Sequence, residues 1–556
     1  MRDGQVRIFD TTLRDGQQCP GAGMSFENNI AYARLAADLR VDVLEAGFPS
    51  ASVMDFEIVK AIAEEITTRE HSPVIAALCQ LRPEQVERTI ESVRAAIPRG
   101  KARVHTYVPV DPSLMAASLG DKAADREAIV RSVYDLIKMA VDAGCEAQFS
   151  PEGYSRMGAN FDFVTELIRA AVEAGASVIN CPDTIGGASV MEGEQYFVKH
   201  MSRHADIIDR EFPNNNVIWS VHCHNDFGLA VQNSINGVFE GPARQIEGCI
   251  NGIGERAGNA SLEQCIMLIA QFGETAPQGP FHTRCDATKL QEVSDFVHDH
   301  MLPRQPHWPV TGNNAACHSS GGHTNAILKN PTAYQPFDPR VIGKPVTFIF
   351  GPLSGGNHAK AIIEAAGYRC DDKEKAVIAQ YVKDKFSQRR KGITDSELMN
   401  AYFDYRSPMT VDRVDYAKND GRAHVIMYGT FHGKEIIINH EQSGKDSAIA
   451  ALKIALEDYF GGFDIVTHSS RAETSGVSAV STSMIEIVDH NGVRCEGTAS
   501  DQDIEVSAMK SLVAALNKSY VRSRYCVNNV NGKRKDSTQV IDTSEWTRML
   551  EGVKGA

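Results

Sequence analysis

Short apolar runs alternate with longer amphipathic stretches over the first half of the chain. The runs fall at 6–9, 41–46, 74–78, 102–110, 146–150, 177–180, 217–224 and 245–248, and most are closed by polar turns. Each has the length of a buried strand. Between them apolar residues recur at helical spacing, as in Ile30, Ala33, Leu35 and Ala36, then Phe56, Val59, Ile62 and Ile66. Ser25 stands where a helix N-cap belongs, and Pro83 opens a helix at an early position where proline is tolerated. Helical patterns also cover 129–141, 163–172, 191–212 as one long helix, and 261–272. Eight strand-then-helix units predict an α/β fold, a (β/α)8 TIM barrel over residues 1–275. An open doubly wound sheet is the alternative arrangement of the same elements.

The pattern changes twice after the barrel. Proline-rich stretches at 277–280 and 303–309, with helical segments at 289–299 and 373–386, mark linker subdomains over 276–420. From 421 to 556 strands are followed by helices, and the order repeats at an offset of about 60 residues. His424-Val425-Ile426-Met427 matches Met484-Ile485-Glu486-Ile487, and Ser447-Ala448 matches Ser507-Ala508. Leu452 matches Leu512, and Ala455-Leu456 matches Ala515-Leu516. Two strand–strand–helix units, about 424–460 and 484–520, predict a C-terminal α+β domain with an internal repeat.

Composition adds exclusions. A hydrophobic fraction of 42% is that of a globular protein with a sizeable core. A net charge of −14, with no basic stripe carrying aromatics, argues against a nucleic-acid partner. The 12 cysteines, Cys19 to Cys526, show no CxxC spacing and read as reduced thiols of a cytoplasmic protein. No apolar run reaches about 18 residues, so no membrane span is expected.

In a barrel of this kind the residues at the strand carboxyl ends build the site. Here they are Arg14 and Asp15, Glu45, His105, Ser150 with Glu152, Thr184, His222 with His224, and Asn259 beyond the last strand. Asp15 offers a hard oxygen to a divalent cation, and Arg14 a fixed fork of donors to a carboxylate. Side chains alternate along a strand, so His222 and His224 share a face, whereas Cys223 points the other way into packing. Two imidazoles and a carboxylate suit Mn²⁺, Zn²⁺, Co²⁺ or Mg²⁺ with open positions for water. The expected role of such a cation is that of a Lewis acid on a keto oxygen.

Three motifs carry a family resemblance: Asp10-Thr11-Thr12-Leu13-Arg14-Asp15-Gly16, His222-Cys223-His224-Asn225-Asp226-Phe227-Gly228, and Asn251-Gly252-Ile253-Gly254-Glu255-Arg256-Ala257-Gly258-Asn259. Together, in this order, they resemble the α-isopropylmalate synthase and homocitrate synthase family. The resemblance implies Asp15, His222, His224 and Asn259 as metal ligands. It places Arg14 against the keto acid and its developing alkoxide, with His105 and Ser150 binding substrate beside it. Thr184 would hold the keto-acid carboxylate, and Glu152 would sit near the base machinery or the side-chain pocket. The implied reaction joins the methyl carbon of acetyl-CoA to the ketone of a 2-oxo acid, foremost 2-oxoisovalerate, and then hydrolyses the thioester. Potassium activation and a homodimer are implied as well.

The match is looser beyond the barrel. His323 aligns with the histidine of a Gly-Ile-His-Gln-Asp-Gly pattern, but Thr324, Asn325 and Ala326 follow it; Tyr334 aligns with a tyrosine of the same subdomain. Both are expected to assist catalysis. The family's C-terminal module binds the pathway end product through a Gly-x-Gly-Pro-Val-Asp-Ala loop, whose place here is taken by Gln442-Ser443-Gly444-Lys445-Asp446-Ser447-Ala448. His105-Thr106-Tyr107-Val108-Pro109-Val110-Asp111 also departs from the family's His-Thr-Phe-Ile-Ala-Thr-Ser, which leaves pyruvate, 2-oxobutyrate or a larger acid as alternative substrates. A lyase on the same barrel would need a reactive cysteine in a glycine-rich loop after the last strand, and 251–259 has none. Ala508-Met509-Lys510 resembles the biotin string of a carboxyltransferase, but Met509, Leu512, Val513 and Leu516 follow helical spacing.

Overall fold

The computed structural model describes residues 4–327, 329–330, 333–388, 392–443, 447–472 and 480–527, with the side chain of Phe348 left aside. The described residues form two compact units: those within 1–317 and 335–347, and those within 318–334 and 348–556.

The first unit is built on a closed barrel of eight parallel strands in sequence order. They are β1 (Arg7–Asp10), β2 (Val43–Glu45), β3 (Val74–Gln80), β4 (Ala102–Pro109), β5 (Glu146–Glu152), β6 (Val178–Asp183), β7 (Ile218–Cys223) and β8 (Ala243–Gly248). The (β/α)8 expectation holds, and the open sheet is excluded by the pairing of β1 with β8, Phe9 opposite Glu247. The surrounding helices bury the faces their periodicity marks. Phe26–Asp38, capped by Ser25 accepting from the Asn28 amide at 3.2 Å, buries Ile30, Ala33 and Ala36.

One expected element is corrected. Residues 191–212 do not form a single helix: a 3₁₀ turn at Val190–Gln195 precedes the helix Phe197–Glu211. Gly193 takes φ 59, ψ −119, which a side chain would resist, and Tyr196 is extended. Apolar periodicity explains the misreading, because Met191 looks like a buried position yet is 94% exposed.

The barrel interior is split. Phe9, Val43, Val74 and Ala76 make an apolar cluster on the β1–β3 side. The β4–β8 side carries Arg103, Gln148, Ser220, Gln245 and Glu247, all fully buried. The Arg103 guanidinium donates to Gln148 and Gln245 through Nη1, both at 3.0 Å, and to Glu146 through Nε and Nη2. A buried cation with four of its five N–H donors used in this way is tolerable, and it gives the barrel floor a fixed arrangement.

In the second unit the helices Gly356–Ala365, Lys375–Lys385 and Asp395–Arg406 pack around Ile363, Ile378, Val382 and Leu398. After them come two antiparallel sheets of three strands each, every sheet followed by a helix. The first is Met409–Asn419, Arg422–Phe431 and Lys434–Ser443 with helix Ala448–Phe460; the second is Phe463–Ala472, Ser481–Asp489 and Arg494–Asp501 with helix Ile504–Tyr525. The repeat is therefore strand–strand–strand–helix, one strand longer than the sequence pattern suggested. The extra strand escaped notice because it is mostly exposed, burying only Met409 and Val414 in the first copy and Phe463 in the second. Each extra strand carries a register shift near its start, at Val411/Arg413 and at Ile465/Thr467. The matched Leu452 and Leu512, Leu456 and Leu516 are all buried in one core. Lys510 lies on the helix Ile504–Tyr525 and donates to Asp501 at 2.7 Å, which removes the biotin reading. Of the loop that replaces the family's glycine-proline turn, residues 444–446 fall outside the described residues.

Candidate metal and substrate site

Asp15 sits in the turn after β1, and His222 and His224 at the end of β7; all three are buried, and their ligand atoms lie within 4.8 Å of one another. The Nε2 atoms of the two histidines face each other at 3.2 Å, and His222 Nε2 is 3.5 Å from Asp15 Oδ2. Asn259 reaches the same point from the loop after β8. Its Nδ2 donates to Asp15 Oδ1 at 2.9 Å and to the Ile253 carbonyl at 3.0 Å. Its Oδ1 is buried without a hydrogen bond. Converging imidazole nitrogens, a carboxylate and an orphaned amide oxygen are the donor set that a divalent cation satisfies. The electrostatics agree. Burial together with the neighbouring His222 pushes His224 down to about 3, so its ring stays neutral and keeps a lone pair. Burial would raise the Asp15 carboxyl, but Arg14 and His222 outweigh it and hold it well below the usual carboxylate range.

Arg14 lies between two acids. Its Nε donates to Glu45 at 2.6 Å and its Nη1 to Asp15 at 2.7 Å. Glu45 is fully buried and also accepts from Thr11 Oγ1 and from His105 Nδ1, each at 2.6 Å. Burial works against its charge, yet Arg14 and then His105 hold it at about 2. An ionised Glu45 only accepts, so His105 carries its proton on Nδ1. Its Nε2 is hydrogen-bonded to Ser150 Oγ at 2.7 Å. Asn180 Nδ2 donates to the same Ser150 oxygen at 2.9 Å. Glu45 thus holds the ring of His105 and the fork of Arg14 together. At its strand end Glu45 has no role that local sequence announces; its three spatial neighbours, Arg14, Thr11 and His105, give it one.

Arg14, Asp15, His105, Ser150, His222 and His224 line a cavity of about 250 Å³ that also takes in Glu152, Thr184, Leu78, Tyr107 and the floor carboxylate Glu247. The Thr184 hydroxyl accepts from the Gly153 amide at 2.9 Å, which leaves its own proton to give. Burial pushes the Glu152 carboxyl up, against the pull of Arg14. Arg256, in the left-handed region at φ 55, clamps Asp226 through Nε and Nη2 at 3.0 Å and the Thr184 carbonyl at 2.7 Å. The arrangement brings together Arg14, Asp15, His105, Ser150, Glu152, Thr184, His222, His224 and Asn259. His323 and Tyr334 belong to the second unit, where their rings stack at 4.0 Å and 14°.

Two family models match the chain. One described as HMGL-like covers residues 5–297, and one described as homocitrate synthase post-HMGL domain-like covers residues 310–390. A 2-isopropylmalate synthase of Heliobacterium modesticaldum is 33% identical over 92% of this chain and 96% of its own length. One from Saccharolobus solfataricus is 37% identical over 69% of this chain and 92% of its own. Among solved structures, the HMG-CoA lyase of Bacillus subtilis aligns at 17% identity with a TM-score of 0.42, over 53% of this chain and 93% of that one.

Proposed function

Since the chain belongs to the α-isopropylmalate synthase and homocitrate synthase family and is an acyltransferase that condenses acetyl-CoA with a 2-oxo acid, we propose that its 2-oxo acid is 2-oxoisovalerate and its product 2-isopropylmalate, in leucine biosynthesis. A divalent cation held by Asp15, His222, His224 and Asn259 supplies a Lewis acid to the ketone when bound. The observation that carries this reading is the convergence of Asp15, His222 and His224 beside Arg14 in one cavity, with Asn259 bonded to Asp15.

The chain's own residues divide the work. Thr184 donates its hydroxyl proton to the keto-acid carboxylate. Leu78 and Tyr107 form an apolar wall that suits a branched alkyl group. Arg14 donates to the oxygen that gains charge as the ketone is attacked, and its guanidinium is held in place beforehand by Glu45 and Asp15. The acetyl methyl loses a proton to a base, its carbon bonds to the ketone carbon, and water then cleaves the thioester and releases CoA. Glu152 and the Nε2 of His105 are proton-holding groups within the cavity. His323 and Tyr334 are two further catalytic residues, and the chain acts as a homodimer.

The test is thiol release from acetyl-CoA with a panel of 2-oxo acids. The expected outcome is the highest kcat/KM with 2-oxoisovalerate. A higher value with pyruvate, 2-oxobutyrate or 2-oxoglutarate reassigns the substrate within the same chemistry.

A further inference from the structure

The loop that carries Asn259 is tied to the segment after the barrel through a buried acid. Past β8 the chain turns at Ile250–Gly252, and Asn251 takes φ 58, ψ 15, a left-handed conformation uncommon in residues other than glycine. Three polar groups of Asn251 are tied down by neighbours. Its amide donates to Glu263 Oε2 at 3.0 Å, its Nδ2 to the Ser294 carbonyl at 2.9 Å, and its Oδ1 accepts from Ser294 Oγ. Glu263 is fully buried, and its other oxygen accepts the indole proton of Trp308 at 2.8 Å. The Trp308 ring also closes over Gly252, where a Cβ would lie 3.2 Å from Cζ2. The Gly252 carbonyl in turn accepts the Asn259 amide at 2.9 Å. A continuous path thus runs from Trp308 through Glu263, Asn251 and Gly252 to Asn259. Neither Glu263 nor Trp308 lines the cavity.

We propose that Glu263 and Trp308 are positioning residues for Asn259, so that the chain after the barrel sets how tightly the cation is held. The inference rests on the reading of Asp15, His222, His224 and Asn259 as a cation site. A buried carboxylate is a costly way to brace a turn that an apolar residue would brace as well. Its use is explained if the loop must be fixed to a few tenths of an ångström. Asn259 has little slack, because its Nδ2 is committed to Asp15 and Ile253 and only Oδ1 remains for a cation. Partners one step behind a ligand typically change metal affinity by about 10- to 100-fold when lost.

The experiment is Mn²⁺ titration of the metal-free full-length chain, with thermal melts alongside, for the parent, Trp308→Phe, Glu263→Gln, Asn259→Ala and the Trp308→Phe/Asn259→Ala double variant. Trp308→Phe keeps an aromatic ring but deletes the indole donor and the part of the indole that covers Gly252. It is expected to raise the Mn²⁺ Kd about 10-fold, and to add less than about 2-fold once Asn259 is already alanine. Glu263→Gln, which leaves one donor facing another, is expected to weaken Mn²⁺ at least as much and serves should Trp308→Phe not fold. A lowered Tm with an unchanged Kd in both variants makes the pair merely structural and overturns the proposal. Full additivity in the double variant does so too. A parent that binds no Mn²⁺ overturns the cation reading itself, and this inference with it.

Discussion

At the scale of single residues, the site depends on charges held where burial alone would remove them. Asp15 stays ionised because Arg14 is 2.7 Å away, and Glu45 because Arg14 and His105 both donate to it. Arg14→Lys keeps the charge but loses the planar fork that spans both acids. A fall in kcat of about 100-fold or more is expected, the size of a lost oxyanion donor; steady-state rates at saturating substrate check it, and a rate within a few-fold of the parent makes Arg14 structural. His224→Ala is expected to lose most bound divalent cation and most turnover while the melting temperature moves little, since strand-end residues of a barrel stand above its packed layers. Metal analysis of the purified variant beside a thermal melt decides this.

At the scale of elements, the helix Phe197–Glu211 carries a built-in acid sensitivity. His204 is fully buried on it, stacked on Phe161 at 4.1 Å, with Nδ1 on the Tyr154 hydroxyl at 2.6 Å and Nε2 on Thr165 at 3.0 Å. Burial pushes it from the ordinary 6.5 down to about 4. The folded state therefore binds this proton less readily than the unfolded chain. The stability His204 contributes is present above pH 6.5 and is lost as pH falls towards 4. Roughly 2 kcal/mol is expected to be gone at pH 5, from 1.36 kcal/mol per pKa unit. Urea titrations at pH 7 and pH 5 measure it, and His204→Gln is expected to flatten that part of the difference. An unaltered pH dependence in the variant contradicts the assignment.

At the scale of the whole molecule, the C-terminal repeat is a two-sheet, two-helix module with one shared core. Its family counterpart grips leucine through a tight glycine-proline loop, which Gln442-Ser443-Gly444-Lys445-Asp446 does not reproduce. Weak or absent inhibition at millimolar leucine is expected. The control is a truncation, and it has to end before Met409, because Met409–Asn419 pairs along the whole of Arg422–Phe431 and a cut near Arg422 would strand it. Strong leucine inhibition of the full chain, abolished by that truncation, shows that the altered loop still binds the amino acid.

The sequence by itself determined the barrel. All eight strands were legible because each is a short stretch carrying apolar or β-branched residues between helical patterns, even where β4, β5, β7 and β8 carry buried polar side chains. It also determined that His222 and His224 share a face, since alternation along a strand is local. The tertiary structure decided what depends on neighbours far apart in the chain. Glu45 bonds His105, 60 residues away, and Glu263 bonds Trp308, 45 residues away; no local pattern announces either contact. The structure also decided the break at Gly193 and the outermost strand of each repeat. In the first the backbone angle of one glycine overrode an apolar rhythm, and in the second the strand is too exposed to leave an apolar rhythm at all. Periodicity records which residues must leave water, and it is silent on which buried polar groups then meet.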